Sequence, residues 1–338
     1  MTNIEYVVTR LRAIRTGYIH EDRLKGIVDG QDNGSTLSLL ADSNFNIGVE
    51  RFKQHHSEKP KTSSLIRVID ESRNLIIEKL AAIIAFSLPE EVELIFSRLE
   101  LEQLKNVMRC IRGGETFIDK RLVFLNFRLP RKGWTSGWRT FLNIDELKET
   151  LKNQHHYFYP ALANRNTDQQ SSEIDIERFY FNKYLPEKIN GSADYAEYFS
   201  WKHSMVNIHT AYLLNGKRTN YPDLSEFYIK GPGKVTRADF ERLIDIQTNA
   251  FMPEVSRILG VKLHEGTLTD TFPNIINSAF LHCMKFKVYR DPFSILEILL
   301  HLEELSTLVS NLKLAIYLSD IGAPFKEVKD NFILAEVI

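Results

Sequence analysis

Apolar residues recur along most of this chain at the three- and four-residue offsets that place them on one face of an α-helix. Between positions 64 and 86, Leu65, Val68, Ile69, Ile76, Leu80, Ile83 and Ile84 make one such stripe, which predicts a long helix. Runs at 6–15 and 21–28 predict two shorter helices before it. Ser87 and Glu90 have capping-box spacing, so a further helix is predicted to begin at Ser87, with Pro89 tolerated in its first turn. It runs to Arg112 and stops at Gly113-Gly114, where a positive φ is accessible. Its stripe slips between Leu99 and Leu104, a pattern that fits two helices with a bend. Strands are expected to be few, with 122–127 and Tyr157-Phe158-Tyr159 as the best candidates. Residues 164–173 carry no apolar side chain and predict an exposed loop, and 128–137, with Pro130, Gly133 and Gly137, predicts a second irregular stretch. The expected class is all-α.

The pattern also repeats. Three long apolar helices each carry an Asn and then end in Gly: Asn106 before Gly113, Asn207 before Gly216, and Asn311 before Gly322. The Asn positions are separated by 207 − 106 = 101 and 311 − 207 = 104 residues. Plausible starts precede each helix, at Ser87-Leu88-Pro89, Ser192-Ala193-Asp194 and Asp291-Pro292. Earlier segments rhyme too: 17–24 resembles 233–240, and Asn143-Ile144-Asp145-Glu146-Leu147 fits as a middle copy. Near-equal spacing predicts three pseudo-repeated helical units of about 100 residues, a typical domain size. Their boundaries are drawn at 1–118, 119–228 and 229–338.

Composition narrows the function. The chain has 338 residues, 43% hydrophobic and 26% charged, which excludes global disorder and gives length enough for a large core. Lys and Arg number 43 against 44 Asp and Glu, so the basic surplus of a general nucleic-acid coat or polybasic membrane anchor is missing. Cys110 and Cys283 are too few for a disulfide framework and read as reduced cytosolic thiols. No apolar run approaches the roughly 18 residues a membrane span needs, and the start lacks a signal-peptide pattern. His55-His56 and His155-His156 are neighbours that cannot share a helical face, and His203 and His209 are six apart, so no metal is expected. Gly231-Pro232-Gly233-Lys234 lacks phosphate-loop spacing and reads as a turn before the third unit. Glu90-Glu91 and Glu303-Glu304 read as solvated helix faces. Neither a catalytic nor a cofactor site is visible.

Four segments, in order along the chain, resemble the C/d subunit family of archaeal-type and vacuolar-type rotary ATPases. They are Tyr6-Val7-Val8-Thr9-Arg10-Leu11-Arg12-Ala13, Leu39-Leu40-Ala41-Asp42-Ser43-Asn44-Phe45, the helix end from Asn106 to Gly114, and the last helix through Gly322-Ala323-Pro324-Phe325. Ser43 and Phe45 stand where that family's segment has Thr and Tyr. The second unit has Lys217 and Arg218 after its Gly rather than an Arg before it. The resemblance implies an all-helical, three-fold pseudosymmetric funnel on the cytoplasmic face of a membrane rotor ring. It also implies that the cavity receives the central shaft, and that the chain performs no chemistry but couples rotation to proton or sodium transport. The expected partners are then the shaft subunits and the ring, with the chain a monomer inside a hetero-complex, peripheral to the membrane and without a span of its own. Two other readings stay open: a helical-repeat scaffold unrelated to rotary ATPases, and an enzyme of a helical class, which requires perturbed carboxylates or histidines in a deep apolar pocket.

Candidate partner contacts follow from charge. Arg109 and Arg112, three apart at the end of the first repeated helix, either meet acidic partner residues or complement the negative helix end. Lys217 and Arg218 after the second helix are contact candidates or solvated loop charges. The stretch 120–139 holds six basic residues and no acidic one, with Arg131, Lys132, Trp134 and Trp138 at its centre. It suits an inter-unit connection with locally packed Trp side chains, a protein or membrane-surface contact, or, least of all, single-stranded nucleic acid.

Overall fold

The computed structural model describes residues 3–30, 32–55, 60–112, 121–124, 137–140, 143–163, 172–189, 191–217, 224–263 and 272–333. The first helices are α1 (Asn3–Arg15), α2 (Glu21–Gly30), α3 (Asn33–Ala41), α4 (Asn46–His55) and α5 (Thr62–Ser87). There follow α6 (Val92–Arg112), strands β1 (Arg121–Phe124) and β2 (Gly137–Thr140), then α7 (Ile144–Asn153), α8 (Tyr159–Ala163), α9 (Ser172–Phe179), α10 (Leu185–Lys188), α11 (Ala193–Leu214), α12 (Arg237–Asp245) and α13 (Thr248–Leu259). The chain closes with α14 (Phe272–Arg290), α15 (Ile295–Asp320) and the single turn α16 (Phe325–Val328). Among the described residues the only strands are β1 and β2, paired antiparallel with Val123 opposite Trp138. The expected helical class is what the structure shows.

Two compact units emerge, Met1–Pro89 together with Leu263–Ile338, and Glu90–Lys262. These limits reflect compactness rather than repetition and do not fall at the junctions near 118 and 228. In the first unit α15 packs along α2 and α5. Its buried Leu305, Leu308, Leu312 and Ile316 keep the three- and four-residue rhythm of a core-facing stripe. In the second unit α11 packs along α12, and Asn215 at the end of α11 donates from Nδ2 to the Leu243 carbonyl of α12 at 2.8 Å.

Several local expectations change. Ser87 is the last residue of α5, not an N-cap; the backbone turns through Leu88–Glu91 and α6 starts at Val92, with the Glu91 carbonyl accepting from Ile95 N–H. The apolar stripe of α5 extends over Ile84 to Ser87 itself, which is buried, so packing overrides the capping signal. The slip between Leu99 and Leu104 does not divide the segment into two helices, since α6 is one helix of 21 residues. Tyr157-Phe158 form a turn and Tyr159 begins α8; the rings are buried by stacking rather than by a sheet. Of the stretch 164–173, Ser172 and Glu173 open α9, and 164–171 lie outside the described residues.

The rhyming early segments have matching structures. In α2 the buried residues are Leu24, Ile27 and Val28; in α7, Leu147, Thr150 and Leu151; in α12, Phe240, Leu243 and Ile244. Each triplet occupies the same three positions of a short helix and makes one buried edge, apolar throughout except for Thr150. The second helix is capped by Asn143, which accepts from Glu146 N–H at 2.9 Å. The third is capped by a reciprocal Thr236–Asp239 box.

Candidate functional site

The two later repeated Asn residues are used identically. Asn207, fully buried on α11, donates from Nδ2 to the Ile229 carbonyl at 2.8 Å and accepts from the Ile229 N–H at 3.0 Å. Asn311, buried on α15, donates to the Ile333 carbonyl at 2.9 Å and accepts from the Ile333 N–H at 3.1 Å. In both cases the clamped residue lies 22 positions downstream, directly after a 3₁₀ turn and an aromatic residue (Leu224–Phe227 then Tyr228; Lys329–Asn331 then Phe332). A primary amide matches one backbone N–H and one C=O, so Asn satisfies an extended residue that has no strand neighbour. Asn106, in contrast, is exposed on α6, its Oδ1 accepting from Arg109 at 3.4 Å, and the position 22 residues on lies outside the described residues.

Around Asn207 the clamp grows into a strap. His203, one turn earlier on α11, accepts from Gly233 N–H through Nδ1 at 2.9 Å. Nε2 therefore carries the proton and donates to the Ile229 carbonyl at 2.8 Å. Burial lowers the His203 pKa, which keeps this neutral tautomer in place. Ser204 Oγ accepts from Lys234 N–H at 2.8 Å, and Lys234 Nζ donates to the Leu259 carbonyl at 2.7 Å while lying over the Trp201 ring. A Cβ on Gly231 would stand 2.6 Å from His203 Nε2, so the backbone can approach this closely only without one. The Gly231–Lys234 segment is thus a strap tied to α11. The turn expected before α12 is there, and its glycines serve a histidine contact rather than a phosphate.

A second arrangement joins α6 to α9. Arg98, Glu102, Lys105 and Arg109 fall at offsets of four, three and four, one face of α6. Glu177 of α9 is 4% exposed and accepts from Arg98 Nη1 at 2.9 Å and from Lys105 Nζ at 2.6 Å. One turn away Glu173 accepts from Arg109, whose Nη2 at 2.7 Å and Nε at 3.0 Å both donate to Oε2, with Nε also 3.2 Å from Oε1. Partial burial works against the charge of Glu102, whose side chain is 41% exposed, but Arg98, Lys105 and Lys202 outweigh it and lower its carboxyl pKa. The signal was present in the sequence as an alternating-charge face at 98–109 and carboxylates at 173 and 177, and it calls for i, i+4 bookkeeping on both helices together.

A third cluster is built on a buried carboxylate. Glu100 is buried, with Oε2 accepting from the Tyr157 hydroxyl and 3.5 Å from His156 Nε2. Burial pushes its carboxyl pKa up. Tyr157, Phe158, Tyr180 and Tyr184 pack beside it with centroids 4.5 to 6.3 Å apart. The group reads as a buried polar anchor. Because the folded pKa is raised, Glu100 favours folding below the ordinary carboxylate pKa and loses that contribution as pH rises through the folded value. Glu100→Gln removes the charge and is expected to gain stability relative to the unsubstituted chain as the buffer is moved from pH 5 to pH 9. Equal melting-temperature differences at the two pH values would show that Glu100 does not titrate between them.

The contact candidates read from the sequence fall only partly within the described residues. Arg109 is paired with Glu173 and remains more than half exposed. Arg112 ends α6, its side chain outside the described residues. Lys217 is exposed immediately after Gly216, which adopts φ 73°. Trp138 lies in β2, and Arg131, Lys132, Trp134 and Arg218 fall outside the described residues. Glu304 is not on a solvated face: it is 16% exposed and pairs with Arg15 at 2.8 Å and Lys285 at 3.6 Å. Glu91 accepts from the Tyr195 hydroxyl at 2.7 Å. Among the described residues no group of three His, Cys, Asp or Glu side chains is arranged to hold a metal, and no helix is long and apolar enough to cross a membrane. No protein-family model matches the sequence, and no curated protein is similar to it.

Proposed function

We propose that the chain is a non-catalytic central-rotor subunit of a vacuolar/archaeal-type ATPase, a socket that couples the central shaft to the membrane rotor ring during ATP-linked proton or sodium transport. The observation that carries the reading is the recurrent clamp. Asn207 and Asn311, 104 residues apart, each fix the backbone of a residue 22 positions on. The recurrence supports descent of these segments from one repeating unit, and the buried triplets of α2, α7 and α12 extend that support to a third copy. Three helical repeats are what the resemblance to the C/d subunit family implies. The funnel arrangement, the partners and a cytoplasmic location at the membrane complex are parts of the same proposal.

The mechanics fit the residues. A coupling element transmits torque through stiff packing rather than through chemistry. Straps tied to long helices by paired hydrogen bonds, and helix pairs joined by buried charges such as Arg98–Glu177–Lys105, oppose shear between elements. Stable rotor contacts would require interfaces above about 1,000 Å².

The test is partner recovery. Tagged protein purified gently from its own cells in mild detergent is expected to retain nucleotide-binding ATPase subunits, a shaft subunit and a small apolar ring protein, identified by mass spectrometry. A preparation lacking all three, from cells that make the complex, overturns the proposal and leaves a helical-repeat scaffold as the better account.

A further inference from the structure

Of the large hydrophobic side chains exposed in the first unit, Phe86, Phe286, Tyr289 and Phe293 lie toward the start of α15, while Tyr317 and Ile321 lie at its other end. Phe286, Tyr289 and Phe293 lie within eight residues, on the last two turns of α14 and the turn into α15, and Tyr289 is 86% exposed. α5 runs antiparallel to α15, since Thr62 bonds to Asp320 at 3.0 Å and Asp70 pairs with Lys313 at 2.6 Å. The far end of α5 therefore comes level with the start of α15, and there Phe86 is also 86% exposed. No charged residue occurs between Leu80 and Pro89. Large apolar side chains this exposed, grouped at one end, mark a contact surface.

Cations accompany the rings. The Arg290 guanidinium lies 4.3 Å from the Phe286 centroid, and that of Arg12 lies 5.4 Å from the Phe293 centroid. The segment 286–293 carries Lys287 and Arg290 against a single carboxylate, Asp291. The charges of Arg12 and Arg15 are matched by Glu297 and Glu304, with which they pair, so the surplus of cations at this end lies in segment 286–293. Rings beside guanidinium groups at the ends of helices match the headgroup boundary of a bilayer, where aromatic side chains sit at the interface and cations meet lipid phosphate.

We infer that this end of the unit, formed by Phe86, Phe286, Tyr289, Arg290 and Phe293, inserts shallowly into an anionic lipid surface. Lys287 and Arg290, set among the rings, favour anionic over neutral lipid, and the rings supply the apolar burial. The rotor proposal is not a premise: partner recovery without vesicle binding leaves that proposal standing, and vesicle binding without partners leaves this one.

Sedimentation of the full chain with vesicles tests it. Vesicles of phosphatidylcholine and phosphatidylserine are expected to bring the protein down, salt is expected to release it, and pure phosphatidylcholine is expected to retain little. Changing Phe86, Tyr289 and Phe293 together to Ser is expected to weaken binding about tenfold or more. Arg290→Glu, which removes no ring, is expected to weaken it less and to reduce its salt dependence. Circular-dichroism melting of both variants checks that they fold; if the triple variant does not, Arg290→Glu decides. No binding to the anionic vesicles overturns the inference. So does binding that neither folded variant alters, or a variant that loses protein partners while binding vesicles normally.

Discussion

Glu177→Ala is expected to destabilise the second unit by about 3–5 kcal/mol, the range for removing one partner from a buried ion pair. The reason is what it leaves behind. Arg98 and Lys105 are 13% and 12% exposed, and both direct their charge at Glu177. Without that carboxylate Glu102 remains, but it is 41% exposed and gives water-screened compensation. The cost is desolvated positive charge, not the net worth of the bridge. Replacing all three groups by apolar residues of similar volume, Arg98→Met, Glu177→Leu and Lys105→Met, is therefore expected to cost far less than Glu177→Ala alone. Arg109→Ala, which breaks the exposed pair with Glu173, is expected to cost less than about 1 kcal/mol. Urea unfolding of the three variants would measure the order. If the triple variant is the least stable, the triad contributes net stability and the desolvation argument fails.

The parts of this structure legible in sequence are those set by local periodicity. The helices at 6–15, 21–28 and 64–86 are found as α1, α2 and α5, because each stripe has one side to bury. The spacing of Asn106, Asn207 and Asn311 was visible, but not the purpose of the latter two. An Asn in a long apolar helix declares a buried amide without naming its partner, and that partner lies 22 residues downstream, across a connection whose path no local pattern encodes. The Ser87 cap failed because two signals competed for one residue, and burial of the α5 face won. The strand reading of Tyr157–Tyr159 failed because aromatic residues suit a stacked turn as well as a sheet. Charge leaves Arg109 open between a partner contact and a complement to the helix end; the carboxylate it pairs with, Glu173, comes from a stretch whose composition predicts a loop, and Arg109 stays more than half exposed.

Asn207→Ala is expected to cost about 2–4 kcal/mol, since it strands the Ile229 N–H and weakens the hold on its carbonyl in a fully buried setting. His203 still donates to that carbonyl, which keeps the loss below the sum of two orphaned groups. Asn207→Asp separates the two halves of the clamp. The carboxylate still accepts from Ile229 N–H, but it turns an oxygen toward the Ile229 carbonyl and buries a charge, so it is expected to be at least as damaging as Ala. Asn311→Ala is expected to act in the same way on Ile333, with a smaller effect because the clamped segment lies nearer the surface. Amide exchange locates the damage: in Asn207→Ala the N–H groups of Ile229, Gly233 and Lys234 should exchange faster than those of α12, because the strap loosens before the helix it precedes. Unchanged exchange at all three, with full stability retained, would mean that the strap is held by packing and that the recurrent amide is incidental. In that case the strongest structural support for an internal repeat would be lost, and with it the observation on which the rotor reading chiefly stands.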